Sequence, residues 1–282
     1  MKNAVKVFTF LVLIFILLYS FSASMSGVFG IAFEFFAFAA PVAVGYAFSR
    51  RYKREREEVA GVAEPESTLF GLSGRAALGL TPLIIPLISI VFLVAYLTSL
   101  VLGALGLSGS TVEDAPLLEM ILLHALVPSL LEEMLFRYLP MKLLAPYSRR
   151  WCVILSSLYF ALIHMSIFQL PYALLAGAVF IAVDLACDSV WPSVILHFLN
   201  NTVSVLWIKY GADPGFAAVL IGTLIVGSII SLIPVFIKRK EYVGSFQFSL
   251  DSGTGNTELT SPMIFIAFTL IMSILNTVSV GG

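Results

Sequence analysis

The sequence predicts an all-α, polytopic transmembrane bundle of about eight or nine spanning helices. Three observations predict it. Hydrophobic residues make up 59% of the 282 residues and charged residues only 12%, with a mean hydropathy of +1.00, too little polar surface for a water-soluble chain of this size. Apolar runs of about 20 residues, the length a bilayer core requires, recur along the chain between short polar breaks. Basic residues cluster on one side when successive spans alternate direction.

The first span is expected near Val7 to Ser22 and the second near Ser26 to Phe48. Ser22-Ala23-Ser24 resembles a signal-peptide cleavage site, but apolar sequence resumes at once, so an uncleaved first helix is the simpler expectation. The stretch from Arg50 to Ser73, with alternating Arg and Glu and with Gly61, Pro65 and Gly71, reads as a polar cytoplasmic loop, with or without a short amphipathic piece. Further spans are expected near Thr81 to Leu107, Ala115 to Pro140, Trp151 to Leu170 and Tyr172 to Ala186. Three more follow near Trp191 to Lys209, Pro214 to Ile237 and, after a second polar loop from Lys238 to Ser261, Pro262 to Val280. The organisation is therefore an N-terminal two-helix region with its loop (1–80), a helical core (81–237), and a loop with a C-terminal helix (238–282).

Under this count Lys2, Lys6, Arg50, Arg51, Lys53, Arg54, Lys142, Arg149, Arg150 and Lys238 to Lys240 share one side, and Glu113, Asp114 and Lys209 the other. The chain is thus expected to be a multi-pass cell-membrane protein with its N-terminus in the cytoplasm. A net charge of −1 and the lack of a concentrated basic aqueous domain exclude a nucleic-acid partner. The two cysteines, Cys152 and Cys187, have no metal-ligand or redox spacing and read as buried small residues.

Chemistry concentrates in the fourth span, at Glu132-Glu133-Met134-Leu135-Phe136-Arg137. A charge at the centre of a membrane helix costs about 2.5–3.5 kcal/mol on insertion scales, so such a cluster needs partners and marks a functional site. Glu133 and Arg137 are four apart and can pair on one face, whereas Glu132 points elsewhere and must find a proton, a water or another helix. Pro128 lacks an N–H and is expected to bend the helix and free a carbonyl near His124.

Of the three histidines, His164 and His197 lie in later spans, and Asn201 shares a helical face with His197. Ser189-Val190-Trp191-Pro192-Ser193 has the form of a helix start with proline in the first turn. A carboxylate base, an imidazole and neutral donors are the parts that water-dependent peptide hydrolysis requires. By length along the helices, Glu132 and His197 fall roughly 10–12 Å from the basic end and His164 about 20 Å. His124 is read as a packing or cavity-rim residue, and Asp184 and Asp188 as helix-end or interfacial residues. Trp191, Trp207 and Tyr210 suit interfacial belts.

Glu132-Glu133-xxx-Arg137, Phe160-xxx-His164 and His197-xxx-Asn201, in order on three helices, resemble the motif set of the CPBP family of CAAX proteases and bacteriocin-processing enzymes, whose best understood members are the type II CAAX prenyl endopeptidases. The resemblance covers roughly Ala115 to Lys209. It implies a glutamate-dependent intramembrane endopeptidase that hydrolyses a peptide bond near the C-terminus of a prenylated CaaX-type or other membrane-associated substrate, in a cavity opening toward the cytoplasm. Glu132 would activate water with help from His164. Glu133 and Arg137 would shape the site, and His197 with Asn201 would hold the oxyanion. No cofactor is required, although a divalent metal such as zinc is compatible with the family; HExxH spacing, which would favour zinc, is absent from the sequence.

Other readings of the same residues are a non-catalytic bacteriocin self-immunity or membrane binding protein that keeps them as a buried polar network, and a proton-coupled transporter. Two Gly-x-Ser-Gly strings, Gly71 to Gly74 and Gly106 to Gly109, resemble the serine motif of rhomboid-type proteases. Both lie in loops flanking helices, and their duplication shows how little the string specifies.

Overall fold

The computed structural model describes residues 1–22, 24–63, 69–71, 79–107 and 115–237. The expected ninth span, the loop from Lys238 to Ser261, Glu113, Asp114 and parts of both Gly-x-Ser-Gly strings lie outside the described residues. Among the described residues the protein is an all-α bundle of eight helices. These are α1 (Lys2–Ser22), α2 (Gly27–Ala60), α3 (Ile84–Ala104), α4 (117–143), α5 (Arg149–Ile163), α6 (Leu170–Cys187), α7 (Trp191–Tyr210) and α8 (Pro214–Ile237).

Five helical segments are long and apolar enough to cross a membrane: α1, α2, α3 with its preceding turn, α6 and α8. Their apolar residues remain largely outward-facing, with Phe29, Val101, Val219 and Phe236 among the exposed large side chains. Such a surface needs lipid around it.

The helix α2 corrects the polar loop expected from Arg50. It continues through the charged stretch to Ala60 and stops at Gly61, whose φ of 66° is the left-handed conformation of a helix C-cap and whose N–H bonds to the Glu57 carbonyl. Arg/Glu alternation supports the extension through i,i+4 pairs, Arg51 to Glu55 at 2.9 Å and Lys53 to Glu57 at 3.7 Å. At 34 residues α2 is about 50 Å long, so its charged end projects some 20 Å beyond a bilayer core.

Helix α4 is continuous but twice widened, with π-helical turns at Leu122–Leu126 and Met134–Tyr138. Each precedes a proline. Pro128 and Pro140 cannot donate to the carbonyls four residues earlier, those of His124 and Phe136. Side chains from other helices satisfy both: Asn201 Nδ2 on α7 donates to the His124 carbonyl at 3.2 Å, and Ser156 Oγ on α5 donates to the Phe136 carbonyl. The carbonyl predicted near His124 thus lacks its i+4 donor and is used by another helix.

Helices α5 and α6 form a tight hairpin. Gly177 makes the close approach possible, since a Cβ there would sit 2.9 Å from the Ser157 Cα. At 15 residues α5 is only about 22 Å long and does not span a bilayer, so the expected span to Leu170 ends early. The chain turns at Met165, a non-glycine residue at φ 45°, just after His164.

The main core joins α1, α2, α4, α5 and α6 through Phe8, Phe15, Phe38, Phe136, Tyr159 and their neighbours. A smaller cluster of Leu80, Val91, Ala176, Phe180 and Leu196 joins α3, α6 and α7. On the outer side of α3, Ser89 and Ser228 tie α8 to the bundle at 2.9 Å. The helices that carry the polar residues are anchored in these clusters, α4 and α5 in the larger and α7 in the smaller.

Candidate active site

The six residues singled out in the sequence come from α4, the end of α5 and α7. Glu133 and Arg137 are fully buried, with Arg137 Nε 3.1 Å from Glu133 Oε2, the pairing expected from their spacing. The Arg137 guanidinium also lies on the Phe160 ring, 4.3 Å from its centroid, and near Phe180 at 5.7 Å. These aromatic faces complement a cation that has left water, each contributing about 1–2 kcal/mol.

The other oxygen of Glu133 reaches α7, where His197 Nδ1 lies 2.7 Å from Glu133 Oε1. A carboxylate accepts, so Nδ1 carries the proton and the opposite nitrogen, Nε2, carries the lone pair in the neutral ring. Nε2 lies 3.9 Å from Glu132 Oε2. The neighbouring glutamates therefore take different faces of one imidazole, as their divergence along the helix requires.

His164 shows the same division. Its Nδ1 is 2.7 Å from the Phe160 carbonyl, which can only accept, so Nδ1 is the donor and Nε2 is left as the acceptor. Phe160 stands between the two imidazoles, with centroids 5.1 Å from His164 and 5.6 Å from His197, both edge-on. One phenylalanine thus packs Arg137 and both histidines at once.

Asn201 completes the set. Its Nδ2 donates to the His124 carbonyl, and Asn200 Nδ2 lies 3.3 Å from Asn201 Oδ1. These contacts fix the amide orientation and leave Asn201 a second N–H.

Glu132, His164, His197 and Asn201 line one cavity of about 280 Å³. Its wall on α4 is Met120, His124, Pro128 and Glu132, one helical face at spacing four. Glu132 is 16% exposed at the inner end of this wall, whereas Glu133 and Arg137 are sealed behind it. His124, expected as a packing or cavity-rim residue, lines the same cavity. From Glu132 the cavity extends toward Met120, Gln169 and Ile208, away from the end where the basic residues gather.

Sequence reasoning missed several members. Asp184, expected near a helix end or interface, is fully buried and accepts the Ser193 N–H at 2.9 Å. It caps the first turn of α7 and so fixes the helix that carries His197. Tyr172, Gln169 and Asn200 also line the cavity. Only the polarity of Asn200 beside Asn201 offered a signal, since Tyr172 and Gln169 are placed by the α5–α6 turn.

Among the described residues no group of three His, Cys, Asp or Glu side chains is placed to hold an ion.

Residues 114–203 match the family model described as Type II CAAX prenyl endopeptidase Rce1-like. No curated protein and no solved structure matches the chain. The matched stretch runs from just before α4 to within α7 and carries all six site residues, so this core is similar to the Rce1-like family of type II CAAX prenyl endopeptidases.

Proposed function

We propose that the protein is a glutamate-dependent intramembrane endopeptidase that cleaves a peptide bond near the C-terminus of a prenylated CaaX-type or other membrane-associated substrate. The observation that carries the reading is the convergence of the Glu132 carboxylate with His164 and His197 on one cavity, each histidine having its Nδ1 occupied elsewhere.

In this reading a water between Glu132 and His164 Nε2 gives a proton to Glu132 as its oxygen attacks the scissile carbonyl carbon. The carbonyl π-bond opens and its electron pair forms the oxyanion. The free N–H of Asn201 donates to that oxygen. His197, held at Nδ1 by the Glu133 carboxylate, can donate from Nε2 only as an imidazolium. Arg137 balances Glu133 in turn. When the intermediate collapses, the C–N bond breaks and Glu132 returns its proton to the leaving amine. The N-terminus and the basic helix ends lie in the cytoplasm in this proposal, by the bias of basic residues.

The test is proteolysis by the full chain in liposomes, with a farnesylated CaaX peptide library and products read by mass spectrometry. Cleavage by wild type and none by Glu132→Gln supports the reading. Equal cleavage by both proteins removes Glu132 from the mechanism. No cleavage by folded wild-type protein, of farnesylated or unmodified peptides, moves the site to a non-catalytic role.

A further inference from the structure

At the basic end of the bundle lies a second cavity, of about 610 Å³, separate from the one that holds Glu132. Its walls are the charged end of α2, the end of α4 and the start of α5. On α2, Tyr46, Ser49, Arg50, Lys53, Arg54 and Glu57 line it, one helical stripe at spacings of three and four. Lys142 on α4 and Arg149 at the start of α5 face them across the space, and Arg56 adds a sixth cation, against Glu57 and Asp188.

Half of these cations are already engaged locally. Lys53 is bridged to Glu57 at 3.7 Å, Arg56 lies 5.1 Å over the Tyr147 ring and Lys142 5.9 Å over the Tyr138 ring. Arg50, Arg54 and Arg149 have no carboxylate at ion-pair distance among the described residues. Opposite the charges, Tyr138 stacks between Phe70, at 5.3 Å, and Tyr46, at 6.4 Å. Phe70 is pinned through its carbonyl by Trp191 Nε1 at 2.9 Å, so this aromatic wall is tied to the start of α7.

The cavity is therefore amphipathic, with a cationic side and an aromatic side, and it lies where α2 leaves its apolar stretch. A free inorganic anion would use only the cationic side, whereas a phospholipid has a phosphate for the arginines and an acyl-glycerol body for the rings. We propose that this cavity binds the phosphate headgroup of an anionic membrane lipid from the leaflet at the basic end of the bundle, through Arg50, Arg54 and Arg149.

Full-length protein in neutral detergent would be titrated with dioctanoyl phosphatidylglycerol, dioctanoyl phosphatidylcholine and inorganic pyrophosphate, with bound adducts read by native mass spectrometry and stability by thermal melts. Phosphatidylglycerol should bind at least about tenfold tighter than phosphatidylcholine, and Arg50→Gln/Arg54→Gln should weaken it roughly 10- to 30-fold, at about a factor of five per cation removed. Arg149→Gln, on another helix, should weaken it in the same direction and guards against a local effect on α2. Arg51→Gln/Arg150→Gln removes the same charge outside the cavity lining and should have little effect. Equal binding of the two lipids, or equal loss in the Arg51/Arg150 control, overturns the proposal in favour of general surface charge. Binding of pyrophosphate as tight as that of the anionic lipid reassigns the site to a soluble anion.

Discussion

Asn201 Nδ2 donates to the His124 carbonyl at 3.2 Å, the carbonyl that Pro128 leaves without its i+4 donor. One amide thus closes the gap a proline opens in α4 and is held by it. Asn201→Ala should lower kcat roughly 10²- to 10³-fold if its other N–H serves the oxyanion. It should also cost about 1–3 kcal/mol of stability through the orphaned carbonyl. Pro128→Ala restores a backbone donor, so the double variant should lose less stability than the two single losses predict. Melts of the three variants check this, and additive losses would show that the carbonyl is satisfied in another way.

Glu132→Gln should abolish cleavage while leaving the fold intact. Its carboxylate is 16% exposed on the cavity wall, so replacing it with a neutral isostere removes a base without stranding a buried ion. General-base loss is expected to lower the rate by about 10²- to 10⁴-fold. Single-turnover rates in liposomes, with the thermal midpoint measured on the same preparation, separate the two effects. A lowered midpoint in step with lost activity would argue for a structural role.

The class, the helices and the partnership of Glu133 with Arg137 were legible in the sequence because each follows from local periodicity or apolar length. Pro128 even announced the free carbonyl of His124. What was not legible depends on contacts between helices. Nothing local says that His197 takes Glu133 at Nδ1 and faces Glu132 with Nε2, or that Asp184 caps α7 from α6. The end of α5 at Ile163 was hidden because Met165 to Leu170 is as apolar as the helix before it, and the turn there depends on a left-handed backbone at Met165. The α2 extension was misread because its charges were taken as loop polarity rather than as i,i+4 pairs.

Chelation should leave the activity unchanged. Among the described residues no group of three His, Cys, Asp or Glu side chains is placed to hold an ion, and the proposed chemistry uses side chains and water alone. Rates in liposomes before and after treatment with EDTA or phenanthroline check this. Loss of activity that zinc restores would overturn the metal-free reading.

The buried pair Glu133 and Arg137 offers the sharpest separation of structure from chemistry. Glu133→Gln leaves a guanidinium without its counter-charge at a site with no solvent access, and should cost about 3–5 kcal/mol of stability. Glu133→Gln/Arg137→Met removes both charges, and burial of a neutral pair of similar volume should recover most of that loss. Activity should not follow. Without the carboxylate at Nδ1, His197 keeps its place through the Gln oxygen but loses its charged partner, so cleavage should stay lower by roughly 10- to 100-fold, the range for losing a carboxylate that orients an imidazole. Melts and single-turnover rates on the two variants decide the matter. If the double variant regains both stability and full activity, the pair serves folding alone and His197 acts without it.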